Sequence, residues 1–195
     1  GFGVVARDFN RDGREDLLVG NGRVTRGPEV VLPLLDDPWN GMAESNDLYL
    51  RSGSGFELAP KDPVLSEVGL TRAVVAGDFD RQGQLEVLIV NVETPSILVT
   101  PPKSDARELF VEAVDQVGHP VLHALILCQT GDRTQRRRQG VSDGYASAQP
   151  PEVHFGLASS QASAKITVQW PDGTQDVFQV EPSITRFQAQ KGSGR

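Results

Sequence analysis

The sequence predicts an all-β fold, and three observations support this prediction. Twenty glycines and thirteen prolines are spread along the 195 residues without a collagen period, which indicates many turns. The apolar runs between these turns are short and rich in valine, leucine and isoleucine, as β-strands are. A segment near the N-terminus also recurs about seventy residues later, so the chain contains an internal repeat.

The repeat has the layout of a strand, an acidic turn and a second strand. Residues 4–19, VVARDFNRDGREDLLV, align without gaps on residues 74–89, VVAGDFDRQGQLEVLI. Each copy passes from the apolar VVA through Asp-Phe-Asx and a glycine to a second apolar run, at 17–19 or at 87–90. We therefore expect each copy to be two strands joined by a loop.

The loop of the first copy predicts a Ca²⁺ site. Its oxygen donors stand at loop positions 1, 3, 5 and 9, and they are Asp8, Asn10, Asp12 and Asp16. Gly13, at position 6, permits the sharp bend that directs the Arg14 carbonyl towards the ion. Three carboxylates packed this closely repel one another unless a cation is present. We therefore expect metal to order this loop.

An EF-hand is the nearest alternative for this loop, and the sequence argues against it. An EF-hand needs a bidentate glutamate at position 12 and a helix on each side. Position 12 falls on Val19 in the first copy and on Ile89 in the second. The flanks are short and apolar, so the loops are expected to join strands.

The second loop is expected to bind calcium more weakly, or to serve only as a structural turn. Its corresponding donors are Asp78, Asp80, Gln82, the Gln84 carbonyl and Glu86. Gln82 replaces the carboxylate of Asp12, and Glu86 replaces Asp16. Calcium affinity depends on ligand charge and site rigidity, which these replacements alter. An Asp-Gly turn without metal is the alternative for either loop.

These motifs resemble those of a known family. VVARDFNRDGREDLLVGNG is similar to the FG-GAP/VCBS repeat, and NDLYLRSGSGFELAP at 46–60 is similar to the strand and turn between such loops. GVSDGYASAQPPEVHFGL at 140–157 and ITVQWPDGTQDVFQV at 166–180 resemble the ASPIC/UnbV domain. The combination resembles the cartilage acidic protein 1 family and its bacterial homologues. The resemblance implies partial or open β-propeller-like blades, followed by a small antiparallel β-rich ASPIC/UnbV domain, with calcium as the bound ion.

We expect two domains, FG-GAP/VCBS repeats at 1–102 and the ASPIC/UnbV domain at 105–191. The proline-containing and charged segment TPPKSDARE, at 100–108, reads as the linker. Two loop-bearing repeats are too few to close a propeller, so the chain is expected to be a fragment or to form an open or partner-completed sheet. One cysteine cannot supply the disulfides of the EGF-like module found in vertebrate members, which favours a microbial homologue.

Within the C-terminal part, alternation of apolar and polar residues predicts hairpins. Residues 121–128 and the stretch after 130–132 are expected to pair, with the three arginines at 136–138 on a solvated face rather than in a polyanion site. Trp170 is expected to be a core or rim aromatic, because it alternates with polar neighbours before a Pro-Asp-Gly turn. Cys128 lies in an apolar run and is expected to be a small core residue.

The sequence gives no positive indication of an enzyme. His119 and His123 lack the glutamate of a zincin, and His154 is expected to be a hydrogen-bonded structural histidine. The chain contains no GxSxG motif, P-loop or GxGxxG motif. A metal-assisted hydrolase that uses the acidic cluster at 8–16 is the remaining catalytic alternative, but structural ligands would saturate that loop.

We therefore expect a calcium-binding extracellular interaction or structural module that contacts a protein, glycan or matrix partner. The net charge of −7 opposes binding to nucleic acid, and no apolar stretch approaches the roughly 20 residues that span a bilayer. The expected location is secreted, or periplasmic in a bacterium. The alternative is an accessory segment that completes a larger secreted β-propeller protein.

Overall fold

The computed structural model describes residues 1–25, 39–62, 64–66, 68–101, 106–141, 144–145, 147–157 and 163–195. Within these ranges every regular element is a strand, except for one 3-10 turn at Trp39–Met42. The predicted all-β class is confirmed. No helical segment in these ranges has the length and apolar character needed to cross a membrane.

The described residues of the N-terminal half form nine strands. They are β1 (Gly3–Arg7), β2 (Asp16–Gly20), β3 (Glu44–Ser45), β4 (Asp47–Ser52), β5 (Gly55–Leu58), β6 (Val68–Gly69), β7 (Thr71–Gly77), β8 (Glu86–Asn91) and β9 (Ile97–Val99). One antiparallel sheet has the order β1-β2-β4-β5, and a second has the order β7-β8-β9. Strands β3 and β6 form a short antiparallel pair of their own.

Both copies of the repeat fold as the sequence predicts. Val4 pairs with Val19 in the first copy, and Val74 pairs with Ile89 in the second. The strand and turn predicted within 46–60 are β4 and the turn after it, and β5 then pairs with β4 as a hairpin. Strands β1 and β7, which belong to different sheets, approach each other closely. A Cβ built on Gly3 would lie only 2.7 Å from the Val74 nitrogen.

The described residues form separate sheets, and they do not by themselves display the predicted propeller blades. Each sheet there is open, and none closes on itself. Edge strand β5 is exposed along its whole length, and Leu98 of edge strand β9 is 55% exposed. The assignment of residues 1–102 to blades of a propeller remains a prediction.

Seven strands are formed by the residues of the C-terminal half that the structure describes. They are β10 (Arg107–Val114), β11 (Leu125–Thr130), β12 (Arg133–Arg138), β13 (Val153–Leu157), β14 (Ala164–Gln169), β15 (Gln175–Val180) and β16 (Arg186–Gln190). One sheet has the order β12-β11-β14-β15, and the other has the order β13-β10-β16. The domain boundary predicted near residues 102–105 falls outside the described residues and remains a prediction.

Two details of this half differ from the sequence predictions. Strands β10 and β16 pair in parallel, whereas an antiparallel domain was expected. The two strands are not joined by a hairpin but by the chain that builds the other sheet, so β16 can enter in the same direction as β10. The strand predicted from residue 121 begins only at Leu125, because His123 has a left-handed φ of 67° and lies in a turn.

The C-terminal core lies between the two sheets. Its large members are Leu109, Ile126, Phe155, Leu157, Ile166, Val168 and Trp170. Trp170 is 3% exposed and its Nε1 donates a 2.8 Å hydrogen bond to Asp176, so it is a core aromatic, as expected. Cys128 is also buried in this core, where burial raises the pKa of its thiol to about 12.

Strand β10 is buried on both faces and serves both cores. Leu109 and Val111 point into the C-terminal core, while Phe110 packs in the N-terminal core with Val5 and Leu18. Alternation along a strand separates these two sets of side chains. Glu108, which has the same parity as Phe110, therefore faces the N-terminal half.

Candidate metal centre

The two acidic loops have the same backbone conformation. Positions 4 and 6 are left-handed in both, with φ values of 60° and 82° at Arg11 and Gly13, and of 61° and 79° at Arg81 and Gly83. The glycine at position 6 makes the bend that the sequence predicts. The arginine at position 4 adopts a conformation that is uncommon for a non-glycine residue. Loop one joins β1 to β2, and loop two joins β7 to β8.

Buried carboxylates organise loop one from within. Asp8 accepts hydrogen bonds from the backbone nitrogens of Asp12, at 2.9 Å, and Gly13, at 2.6 Å. Asp16 accepts one from the Phe9 nitrogen at 2.9 Å, and one from the Arg51 nitrogen of β4 at 2.8 Å. Asp8 and Asp16 are 1% and 0% exposed. The loop is therefore closed by side chain to backbone bonds, and β4 is attached to it.

The other predicted donors of loop one lie at its rim. Asn10 is exposed and Asp12 is half-buried. The Asn10 amide donates to Asp12 at 3.3 Å, and Asp12 accepts from the Arg14 nitrogen at 2.8 Å. The structure therefore places two carboxylates inside the loop and one near solvent.

The electrostatics of loop one favour a bound cation. Burial raises the pKa of Asp8 from 3.8 to about 6, and the nearby Asp12 and Asp16 charges add to this rise against the backbone hydrogen bonds. Burial also raises the pKa of Asp16. A carboxylate whose charged form is disfavoured in this way gains from a neighbouring positive charge.

Loop two repeats these bonds with different side chains. Asp78 accepts from the Gly83 nitrogen at 3.1 Å, as Asp8 does from Gly13. Glu86 accepts from the nitrogens of Phe79, at 2.9 Å, and Asp80, at 3.1 Å. The exposed Gln82 donates its backbone N–H to Asp80 at 2.9 Å. A glutamate thus replaces the aspartate at position 9 and keeps its two backbone partners within the loop.

Three acidic side chains converge in loop two. Asp78, Asp80 and Glu86 each offer one ligand oxygen, and these oxygens lie within 4.8 Å of one another. It is the one such group in the part of the chain that the structure describes, so the loop-one carboxylates do not form one there. Asp78 Oδ1 is also buried without a hydrogen-bond partner. A cation bound by these oxygens would satisfy that atom.

The expected ranking of the two loops rests on charge, and the charge is equal. Gln82 lacks the carboxylate of Asp12, but Asp80 supplies one where loop one has Asn10. Each loop therefore carries three carboxylates among its predicted ligands. Arg14 and Gln84, whose carbonyls are predicted ligands, occupy the same place after the loop glycine. Which loop binds more tightly remains a prediction.

An arginine from the C-terminal half contacts loop two. Arg186 Nη1 lies 2.8 Å from Asp78 Oδ2, and its Nη2 lies 2.6 Å from Glu152 Oε2. The guanidinium thus takes the oxygen of Asp78 that also accepts from Gly83, and it leaves Oδ1 without a partner. Burial raises the pKa of Glu152, against the lowering effect of Arg186.

Loop one packs directly on β13 and β12. A Cβ built on Gly156 would lie 2.0 Å from Asp8 Oδ2 and 2.8 Å from the Arg11 Cα. A Cβ on Gly13 would lie 2.7 Å from the Arg133 Cζ. Arg137 pairs with Glu15 at 3.0 Å, and its side chain is only 11% exposed. The arginines at 136–138 were expected to face solvent, and those at 136 and 138 do. The expectation is wrong for Arg137. Successive side chains of a strand point to opposite faces, and that of Arg137 points towards loop one.

Glu108 connects both loops to the C-terminal half. Its Oε1 lies 2.5 Å from Arg11 Nε of loop one. Its Oε2 accepts from the Leu85 nitrogen at 2.7 Å and lies 3.1 Å from His154 Nε2. Burial alone would raise the pKa of Glu108, but His154 and Arg11 outweigh it and lower that pKa. Burial lowers the pKa of His154, against the raising effect of Glu108, and its Nε2 lies within hydrogen-bond distance of the carboxylate.

A further contact between the halves covers the edge of β7. The Gln149 side chain accepts from the Ala76 nitrogen and donates to the Val74 carbonyl, both at 2.9 Å. It makes the two hydrogen bonds that a neighbouring strand would make. An edge that would be open to pairing is therefore covered here.

Replacing Gly156 with alanine is expected to destabilise the protein by about 1–3 kcal/mol, since overpacking a dense interface costs that much. Asp8 is fixed by its backbone bonds, so neither it nor the Arg11 backbone can withdraw freely. Urea denaturation measures the change. Gly140→Ala is the control, because nothing lies within 4 Å of its Cβ position, and it is expected to change stability by less than about 0.5 kcal/mol. Equal losses in both variants would contradict the packing of loop one on β13.

Sequence reasoning missed Glu108, Gly156 and Arg186. A weak signal exists for Glu108, because a glutamate in the apolar stretch RELFVEAV must either face solvent or find a partner. Gly156 and Arg186 carry no local signal of their contacts, since those contacts are made with residues far away in the chain.

The C-terminal half matches a family model described as ASPIC and UnbV, over residues 118–195. The chain as a whole is similar to cartilage acidic protein 1 of Mus musculus, with 30% identity over 176 residues that cover 80% of this chain and 23% of the relative. The same protein of Homo sapiens is 29% identical over 176 residues, covering 80% of this chain and 22% of the relative. The chain spans less than a quarter of the length of these relatives. The resemblance to the cartilage acidic protein 1 family is confirmed.

Proposed function

We propose that the chain is a calcium-binding extracellular interaction or structural module and not an enzyme. The observation that carries this proposal is the acidic group of loop two. Three carboxylates converge there, and Asp78 Oδ1 is buried without a partner. A protein site with carboxylate oxygens only is suited to a hard cation such as Ca²⁺.

The types of donor in both loops suit calcium, and in the described residues those of loop two converge. Ca²⁺ takes six to eight oxygens in flexible geometry, and carboxylates, side-chain amides, backbone carbonyls and water can supply them. Asp78, Asp80 and Glu86 would supply the charged oxygens of loop two, with Gln82 and the Gln84 carbonyl as neutral donors. Asp8, Asp12 and Asp16 would play the same part in loop one, with Asn10 and the Arg14 carbonyl.

Bound calcium would stabilise the contact between the two halves. Asp8 packs on Gly156, and Asp78 contacts Arg186, so each loop carries a ligand that also touches the C-terminal half. Neutralising the buried carboxylates lowers the free energy of the docked loops. The combined surface would then contact a protein, glycan or matrix partner. Millimolar calcium outside cells suits sites of this kind, and it supports a secreted or periplasmic location.

Calorimetric titration with calcium, together with thermal melts in calcium and in chelator, tests the proposal. We expect one or two ions to bind, and at 100 times Kd a single site raises stability by about 2.7 kcal/mol. Asp80→Asn and Asp12→Asn each remove a rim carboxylate from one loop, and the larger loss identifies the tighter site. Asp132→Asn, in the exposed β11–β12 turn, is the matched control and should bind as the wild type does.

The same titration with magnesium separates calcium binding from general charge screening. Magnesium demands a smaller octahedral site and is expected to bind much more weakly. Absence of binding heat, with equal melting temperatures in calcium and chelator, would rule out the metal role.

The alternative is an accessory segment that completes a larger secreted β-propeller. The open sheets support it, since edge strands β5 and β9 expose apolar side chains, including Phe56 and Leu98. Exposed edges of this kind are templates for pairing with another chain. Sedimentation velocity distinguishes the two functions, because an incomplete propeller is expected to self-associate and a finished module is expected to be a monomer.

A further inference from the structure

A cluster of arginines surrounds loop one on the side of β12. We call it the arginine face, and its members are Arg14, Arg51, Arg133, Arg137 and Arg138. Arg137 pairs with Glu15. Within the described ranges the other four form no ion pair with a carboxylate. Unpaired positive charge is therefore concentrated on one face of a chain whose net charge is −7.

Named contacts make this face continuous. Arg133 lies against the Gly13 turn, next to Arg14. Arg14 and Arg51 line an open depression of about 390 Å³ together with Glu15. Arg137 and Arg138 line a smaller depression of about 100 Å³, which Glu15 and Arg7 also border. Glu15 is thus shared by the two depressions, and the arginines lie around it.

The chemistry of this face suits an oxyanion. The guanidinium group is planar and presents paired N–H donors that match carboxylate, sulfate and phosphate oxygens. The depression of about 100 Å³ has room for a charged group such as a sulfate or a carboxylate. Glu15 also lines the larger depression, where a second charged group of the same ligand can be placed.

We propose that the arginine face binds an acidic polysaccharide through its sulfate or carboxylate groups. The inference deepens the interaction role proposed above and rests on it, but it does not require metal binding. The carboxylate of Glu15, which lines both depressions, opposes a continuous row of phosphates, and this favours a ligand that carries hydroxyl groups between its oxyanions. Glu15, at the centre of the face, can accept hydrogen bonds from sugar hydroxyls.

The test is isothermal titration with heparin as the sulfated probe, in calcium and in chelator, at two salt concentrations. Arg133→Gln/Arg138→Gln removes two exposed cations of β12, and we expect it to weaken binding about tenfold and to reduce the salt dependence. Lys165→Gln/Arg195→Gln is the control of equal charge, since both residues are exposed and lie outside the arginine face. We expect this control to bind heparin as the wild type does.

Three results would overturn the proposal. One is no binding of heparin by the wild type at low salt, and another is an equal loss in the two double variants. The third is equal affinity for single-stranded DNA, or for inorganic sulfate at the same sulfate concentration. Calcium-dependent melts of Arg133→Gln/Arg138→Gln report separately on the proposed function, because that variant keeps every carboxylate of both loops.

Discussion

Replacing Glu108 with glutamine is expected to lower the free energy of unfolding by about 3–5 kcal/mol. This is the cost of removing one partner of a buried ion pair, because the other charge stays buried without compensation. The amide retains the size of the carboxylate but removes the charge that neutralises Arg11, whose side chain is 7% exposed. The amide has only one acceptor oxygen, so its NH2 group faces either Arg11 or the Leu85 nitrogen, and at least one buried donor loses its acceptor. Because Glu108 contacts both halves, the loss should appear as a loss of global stability.

Glu112→Gln provides the matched control for this experiment. It makes the same chemical change on the same strand, but Glu112 is half-buried and bonds only to the Gln188 amide, at an exposed position. Urea denaturation of the two variants should differ by several kcal/mol, with the control within about 0.5 kcal/mol of the wild type. Similar midpoints for both variants would show that the Arg11–Glu108–His154 cluster contributes little to stability.

In chelator, the protein is expected to gain stability as the pH falls from 7 to 5, through Asp8. The pKa of Asp8 is raised in the folded state from 3.8 to about 6, so its contribution is fully present below 3.8 and is lost as the pH rises through 6. The full effect of such a shift is about 3 kcal/mol, of which about 1 kcal/mol falls between pH 5 and pH 7. The raised pKa of Asp16 acts in the same direction.

Asp8→Asn isolates this contribution. His154, whose pKa is lowered by burial, loses stability as the pH falls and opposes the trend, but it is present in both proteins and cancels in their difference. Urea denaturation at pH 5 and pH 7 should therefore show the wild type gaining about 1 kcal/mol relative to the variant. Calcium should reverse the trend for the wild type, because the ion binds the ionised carboxylate and is displaced by protons. A pH-independent difference between the two proteins would contradict the raised pKa of Asp8.

Much of the local structure could be predicted because it depends on neighbours in sequence. The repeat at 4–19 and 74–89, the bend at each loop glycine and the β4–β5 hairpin all follow from alternation and turn chemistry over a few residues. The buried position of Trp170 follows from the same alternation, and that of Cys128 follows from the apolar run in which it lies. The predicted ligands of each loop also lie in one turn, as their spacing requires.

Contacts between distant segments could not be predicted in this way. Arg137 was expected to face solvent because local pattern cannot reveal that loop one packs against β12. The parallel pairing of β16 with β10 depends on the path of the chain through a different sheet. Ligand spacing alone does not determine where side chains point. It therefore could not predict that the carboxylates of Asp78, Asp80 and Glu86 converge. Nor could it predict that Arg186 contacts Oδ2 of Asp78.

The sequence by itself therefore determined the all-β class, the repeated strand–loop–strand unit and the acidic composition of both loops, because these depend on periodicity and on turn residues. Only the tertiary structure decided that Glu108 joins the two loops, that Gly156 receives Asp8 and that the arginines gather on one face. Those features arise where residues far apart in the chain come into contact. The free energy of burying a charged group depends on which partners surround it, and only the tertiary structure provides those partners.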